Sequence, residues 1–181
     1  NFEKQFLELP RELLITTMKY HQKYFSLKNK HGDLLPYFIT ISNVQPGPGG
    51  EILRGNERVL RARLQDARFF FDEDRKKRLE DFVELLKDVT FQKSLGTSYE
   101  KVNRIVALTE FLATKVCPEQ IKQASRAAWL CKADLVTQMV YEFPELQGVI
   151  GGYYAEHSGE DSEVCLAIKE HYRPAFSGDS P

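Results

Sequence analysis

The sequence predicts an α+β protein in which a small N-terminal portion built round a β-hairpin is followed by a mainly α-helical portion. Two runs, Tyr24-Phe25-Ser26-Leu27 and Tyr37-Phe38-Ile39-Thr40-Ile41, have the β-branched and aromatic content of strands and flank the turn-forming NKHGD of residues 29–33. The segment Gln45-Pro46-Gly47-Pro48-Gly49-Gly50 interrupts any regular element, because proline lacks a backbone donor and glycine carries no steric preference. From Asn56 onward, apolar residues recur at helical spacing almost to the end of the chain.

The elements follow in order. Pro10, Arg11 and Glu12 open a short helix carrying Leu13, Leu14 and Met18. A hairpin spans residues 24–42, with Gly32 free to take positive φ in its turn. The Pro/Gly segment is the expected joint, which sets two domains at residues 1–50 and 51–181. Leu60, Leu64, Ala67 and Phe71 then mark one face of a long helix, with Asn56 as its expected N-cap. Leu79, Phe82, Val83, Leu86 and Val89 repeat the pattern in a second helix. Thr97 and Glu100 form a capping-box pair opening a third, whose Val102, Ile105, Val106, Thr109, Leu112, Ala113 and Val116 are expected to face inward until Pro118 interrupts it. A fourth, over residues 119–141, is apolar on most of its circumference and reads as the central helix of a bundle. Pro144, Gly148, Gly151 and Gly152 punctuate a short segment, and residues 161–172 form a last amphipathic helix.

Composition bounds the function. A chain of 181 residues, 42% hydrophobic and 28% charged, suffices for a globular core and suits one domain plus part of another. Lys and Arg number 25 against 26 Asp and Glu, so a uniformly basic nucleic-acid binder is excluded and any anionic partner must meet a local patch. No apolar run approaches the roughly 18 residues of a membrane span, and no signal segment is visible. Cys117, Cys131 and Cys165 are odd in number and widely spaced, which reads as reduced thiols of a cytoplasmic protein. The chain begins at Asn1 and ends in AFSGDSP, so it reads as an internal piece of a longer protein.

Three groups of residues could carry chemistry. On the long helix, Arg58, Arg61, Gln65 and Arg68 share a stripe beside the core face, with Arg54 and Arg63 adding charge. A guanidinium fork engages two phosphate oxygens at once, so the stripe suits a nucleic-acid backbone; alternatively, it pairs with Glu57, Asp66, Asp72, Glu73 and Asp74 as a solvated helix surface. Lys19, His21, Gln22, Lys23 and Lys28 interleave with Tyr20, Tyr24 and Phe25, a mixture suited to gripping a sugar-phosphate backbone and stacking a base, though such aromatics also serve as core. Asp134 stands in the most apolar stretch, where a carboxylate needs a hydrogen bond, a cation or a metal; Lys132, a helix cap and a metal with His157 or His171 are the options. No phosphate-binding glycine loop is visible, since Gly148, Gly151 and Gly152 do not follow a strand, and no nucleophile pair can be assembled.

The ordered blocks MKYHQKYF, LLPYFITISN, GNERVLRARLQDARFFFDED, FQKSLGTSYEKVNRI, KADLVTQMVYEFPELQGVIGGYYA and EHYRPAFSGD together resemble the bacterial glycyl-tRNA synthetase beta subunit across nearly the whole chain. The resemblance implies a noncatalytic, tRNA-holding piece of a glycine–tRNA ligase, working in an α2β2 assembly with an alpha subunit that uses ATP and Mg. This piece would hold no cofactor of its own and meet neither DNA nor membrane. It further implies part of a β-rich domain similar to those of the phenylalanine enzyme's beta chain, then a helical domain similar to the HD phosphohydrolase fold. Active HD enzymes bind metal through a His-Asp doublet; Ala133-Asp134 keeps only the aspartate, so no bound metal is expected. A metal-dependent HD phosphohydrolase and a purely structural subunit-docking domain are the alternative functions.

Overall fold

The computed structural model describes residues 1–44 and 50–179. Except for Gly50, the Pro/Gly joint expected at residues 45–50 lies outside the described residues. The chain packs as two compact units, Asn1–Glu73 and Asp74–Pro181.

In the first unit, a 3-10 turn (Lys4–Glu8) leads into α1 (Arg11–Thr16), which unwinds through a π-type turn (Thr17–His21) into β1 (Phe25–Lys28) and β2 (Leu34–Ile39). The two strands pair antiparallel, Phe25 opposite Ile39 and Ser26 opposite Phe38, as the hairpin reading expects. The turn is held by Asn29, whose Oδ1 accepts the N–H of His31 at 2.8 Å and of Asp33 at 2.9 Å, and Gly32 takes φ +91°. The α2 helix (Glu51–Asp74) buries Leu60, Leu64 and Ala67 completely. At roughly 1.5–3 kcal/mol for a fully buried leucine, the two leucines make this stripe a large part of the unit's core. Asn56 does not cap α2: the helix begins a turn and a half earlier, and the Asn56 side chain bridges Ile52 O (2.7 Å) and the hydroxyl of Tyr24. Tyr24 is itself buried, stacked on Phe38 at 4.7 Å.

The second unit is helical apart from one small ladder. Two 3-10 turns (Leu79–Phe82 and Glu84–Asp88) precede β3 (Thr90–Gln92) and β4 (Gly96–Thr97), which pair antiparallel. Then come α3 (Ser98–Val116), α4 (Ile121–Leu130), α5 (Gln138–Glu142), α6 (Val149–His157) and α7 (Ser162–Glu170). The pairs α3/α4, α4/α7 and α6/α7 form the main packing.

Several expectations change here. The helix expected over Leu79–Val89 is two 3-10 turns, although Leu79, Phe82, Val83 and Leu86 are buried as its pattern implies. The Thr97/Glu100 capping box opens α3 as read, with Glu100 N–H to Thr97 Oγ1 at 3.2 Å and Thr97 N–H to Glu100 Oε2 at 2.7 Å. Of its expected inward set, however, Leu112 and Val116 are 48% and 79% exposed. The central helix of residues 119–141 is broken after Leu130, because Asp134 sits in a 3-10 turn (Ala133–Val136) and Thr137 starts α5 by accepting the Val140 N–H. The punctuating glycines include two inside α6. Gly152 lies against α7 so closely that a Cβ would stand 3.0 Å from Cys165 O and 2.9 Å from Lys169 Cβ. Gly152→Ala should therefore destabilise by about 1–3 kcal/mol despite alanine's better helix propensity, as read from a urea midpoint; a gain in stability would show that the α6/α7 contact yields freely. All three cysteines are free, and only Cys131 is buried.

Candidate functional site

The Arg stripe of α2 divides in two. Arg61 and Arg68, seven residues apart on one line, pair with the N-terminal turn: Arg61 Nε stands 2.5 Å from Glu3 Oε1, and Arg68 Nη2 stands 2.8 Å from Glu8 Oε2 with Asp72 at 3.9 Å. These ion pairs are the solvated-surface reading, with Asp72 among the expected acids but Glu3 and Glu8 as the nearer partners. Arg54, one heptad nearer the N-terminus on the same line, and Arg58, about 60° round from it, are exposed and pair with no carboxylate among the described residues. Arg63 is half-buried. In the segment before β1, Lys19 and Lys23 are exposed and His21 is half-buried. Lys23 takes φ +58° and its Nζ donates to Tyr20 O at 2.9 Å, while Lys19 lies 5.2 Å from the Tyr20 ring. Tyr20 and Phe25 are 48% and 59% exposed, so aromatic faces do accompany these cations.

The second unit holds two buried carboxylates. Asp134 is 1% exposed; its Oδ2 accepts the backbone N–H of Gly148 at 2.6 Å and of Gly151 at 3.3 Å. Gly148 takes φ +79°, and a Cβ on Gly151 would stand 3.0 Å from Asp134 Oδ2, so glycines are what let this backbone approach the carboxylate. Oδ1 is left without a hydrogen-bond partner among the described residues. Burial pushes the Asp134 carboxyl up to about 6, against the opposing pull of the two N–H groups and the Lys132 charge. Asp74 is 4% exposed, with Oδ1 accepting Gln138 N–H at 3.0 Å and Oδ2 accepting Met139 N–H at 2.9 Å and the Tyr154 hydroxyl at 3.0 Å. With Thr137 taking Val140 N–H, these bonds satisfy the first three free donors of α5.

Lys132 and His171, distant in sequence, meet beside Asp134. His171 Nδ1 lies 2.6 Å from Ile168 O, an acceptor only, so Nδ1 carries the proton and Nε2 accepts from Lys132 Nζ at 2.7 Å. Burial, with the nearby Lys132 charge, lowers the imidazole to about 4. Lys132 also lies over the Tyr172 ring at 3.7 Å.

This arrangement does not fit an HD-type metal centre. Ala133 offers no donor, Asp134 Oδ2 is occupied by two N–H groups, and His171 is bonded to Lys132 instead of facing the carboxylate. Among the described residues, no group of three or more His, Cys, Asp and Glu side chains converges as metal ligands would. Sequence reasoning singled out Asp134 but missed Gly148, Gly151, Asp74 and Tyr154. The available signal was a glycine pair recurring 14 and 17 residues after a lone acid in an apolar stretch.

Comparison with known proteins matches the whole chain. A family described as "Glycyl-tRNA synthetase beta subunit" matches residues 1–181. The chain is 58% identical over 174 residues to the "Glycine--tRNA ligase beta subunit" of Trichlorobacter lovleyi, covering 96% of this chain and 25% of the relative. It is 57% identical over 177 residues to the protein of that name from Geobacter sp. strain M21, covering 98% and 26%. Against that of Coxiella burnetii it is 54% identical over 180 residues, covering 99% and 26%. The chain thus spans about a quarter of the length of these relatives. With ordered similarity along its full extent, the chain belongs to the glycyl-tRNA synthetase beta subunit family.

Proposed function

We propose that this chain is a tRNA-holding part of a glycine–tRNA ligase beta subunit, contributing binding and positioning while a partner alpha subunit carries out ATP- and Mg-dependent glycylation in the cytoplasm. The carrying observation is family membership over residues 1–181, joined to exposed guanidinium groups at Arg54 and Arg58 that no carboxylate of the described chain neutralises. A phosphate backbone is the counter-charge such groups suit best. Lys19 and Lys23 beside the exposed Tyr20 and Phe25 add a second cationic and aromatic surface in the same unit, with His21 half-buried between them. The part itself is noncatalytic in this reading, and the buried state of Asp134 weighs against the phosphohydrolase alternative.

A docking role is the second reading, and a specific observation favours it: Leu108, Phe111, Leu112 and Val116 leave a contiguous apolar face on α3, 48–79% exposed. The two readings separate in the complete ligase. Arg54→Glu with Arg58→Glu in the full beta subunit, assayed with its alpha subunit, is expected to raise KM for tRNA about tenfold while KM for glycine and ATP stays within about twofold. Unchanged KM for tRNA would move the weight to docking. Among the described residues, no helix is long and apolar enough to cross a membrane.

A further inference from the structure

A groove of about 440 Å3 runs between α3, α4 and α7. Its walls include Ile105, Ala124 and Ala167, and its charged and titratable groups are Lys101, Lys132, His171 and the buried thiol of Cys131; no Asp or Glu lines it. Lys132 is the unusual member. It is 9% exposed, and a lysine buried to that degree is ordinarily paired with a carboxylate, because taking an ammonium out of water is costly without a counter-charge. Among the described residues no carboxylate hydrogen-bonds or ion-pairs with it, although the buried Asp134, outside the groove lining, acts on it electrostatically. Its one hydrogen-bond partner, His171 Nε2, is a neutral acceptor whose proton is fixed on Nδ1, and its other close neighbour is the Tyr172 ring face. Lys101, which sits 3.9 Å from the Phe91 ring, brings a second positive charge to the same groove.

Two cations, no anion and an apolar wall define what would complete the site. We propose that this groove binds a small organic anion, its charged head held by Lys132 and Lys101 and its apolar body seated against Ile105 and the alanines of α4 and α7. Its volume lies within the range of small-molecule sites, and the division into an apolar wall with a few convergent polar groups is their usual anatomy. Burial holds Lys132 below the ordinary lysine range, with Lys101 pushing in the same direction and Cys131 and Asp134 opposing it. A bound anion would add a counter-charge on the groove side, where no carboxylate stands. The site is separate from the α2 arginines and does not depend on the tRNA reading.

The test titrates the 181-residue chain, isotope-labelled, with benzoate, with its uncharged counterpart benzamide, and with inorganic phosphate, reading the His171 ring and Lys132 amine resonances. Benzoate should produce saturable shifts at both groups, while benzamide and phosphate bind at least about tenfold more weakly, since each lacks one of the two recognition elements. Lys101→Met, at a position half-exposed and outside the buried network, should weaken benzoate about tenfold and leave the unfolding midpoint unchanged; Lys132→Met should abolish the shifts. Absence of saturable shifts with benzoate, equal binding of benzamide or phosphate, or benzoate affinity unaffected by Lys101→Met would each overturn the assignment.

Discussion

Asp74→Ala should lower the stability of the helical unit by about 3–5 kcal/mol, the largest effect expected of any single substitution here. The carboxylate accepts from two backbone N–H groups at the start of α5 and from the buried Tyr154 hydroxyl. Alanine removes the acceptor these three donors share, and a buried donor that loses its acceptor costs about 1–3 kcal/mol. The negative charge also lies at the positive end of α5, which adds a smaller favourable contribution. Asp74→Asn keeps one acceptor oxygen and should lose less. The single tryptophan, Trp129, stacks edge-on with Tyr99 at 5.7 Å inside this unit, so its fluorescence through a urea titration reports the transition directly. A loss below about 1 kcal/mol would mean that water replaces the carboxylate and that the three bonds matter little.

Asp134→Ala is expected to cost about 2–4 kcal/mol for the analogous reason, stranding the N–H groups of Gly148 and Gly151. The pH dependence is more diagnostic. The Asp134 carboxyl is raised from 3.8 to about 6, so its contribution to stability is fully present below 3.8 and is lost as pH climbs towards 6. His171 is depressed from 6.5 to about 4, so its contribution is present above 6.5 and is lost as pH falls towards 4. Between about pH 4 and 6.5 the two oppose each other. Asp134→Asn removes the falling component, so its urea midpoint relative to the unsubstituted chain should rise with pH across that window. His171→Gln removes the rising one, and its relative midpoint should fall. Parallel profiles for both variants would show that neither group titrates as its burial implies.

The elements readable in the sequence are those with local causes. The hairpin declares itself through NKHGD because one side chain, Asn29, organises the turn, and α3 through the Thr97/Glu100 pair because a capping box spans only three residues. The stripe of α2 follows from periodicity alone. What was illegible depends on residues far apart in the chain. Asp74 looks like one more acid balancing the arginines, yet its partners lie 64, 65 and 80 residues away. Gly151 and Gly152 look like punctuation, whereas their role is to let α6 approach Asp134 and α7. The break in the 119–141 helix was legible in principle, since Thr137 stands ahead of a new helical turn, but the continuous apolar composition masked it. For the arginines, helical projection found the stripe and could not foresee that Glu3 and Glu8 would claim Arg61 and Arg68 while Arg54 and Arg58 stayed open.

Central to the functional account is that these open cations meet tRNA phosphates, and fluorescence anisotropy of glycine tRNA against this chain over a salt series tests it most directly. Log affinity should fall linearly with log salt, and Arg54→Glu with Arg58→Glu should flatten that slope by about two phosphate contacts, each worth roughly 0.7–0.9 of slope. Absence of binding, or the same slope in the substituted chain, would contradict an RNA-holding role for this face.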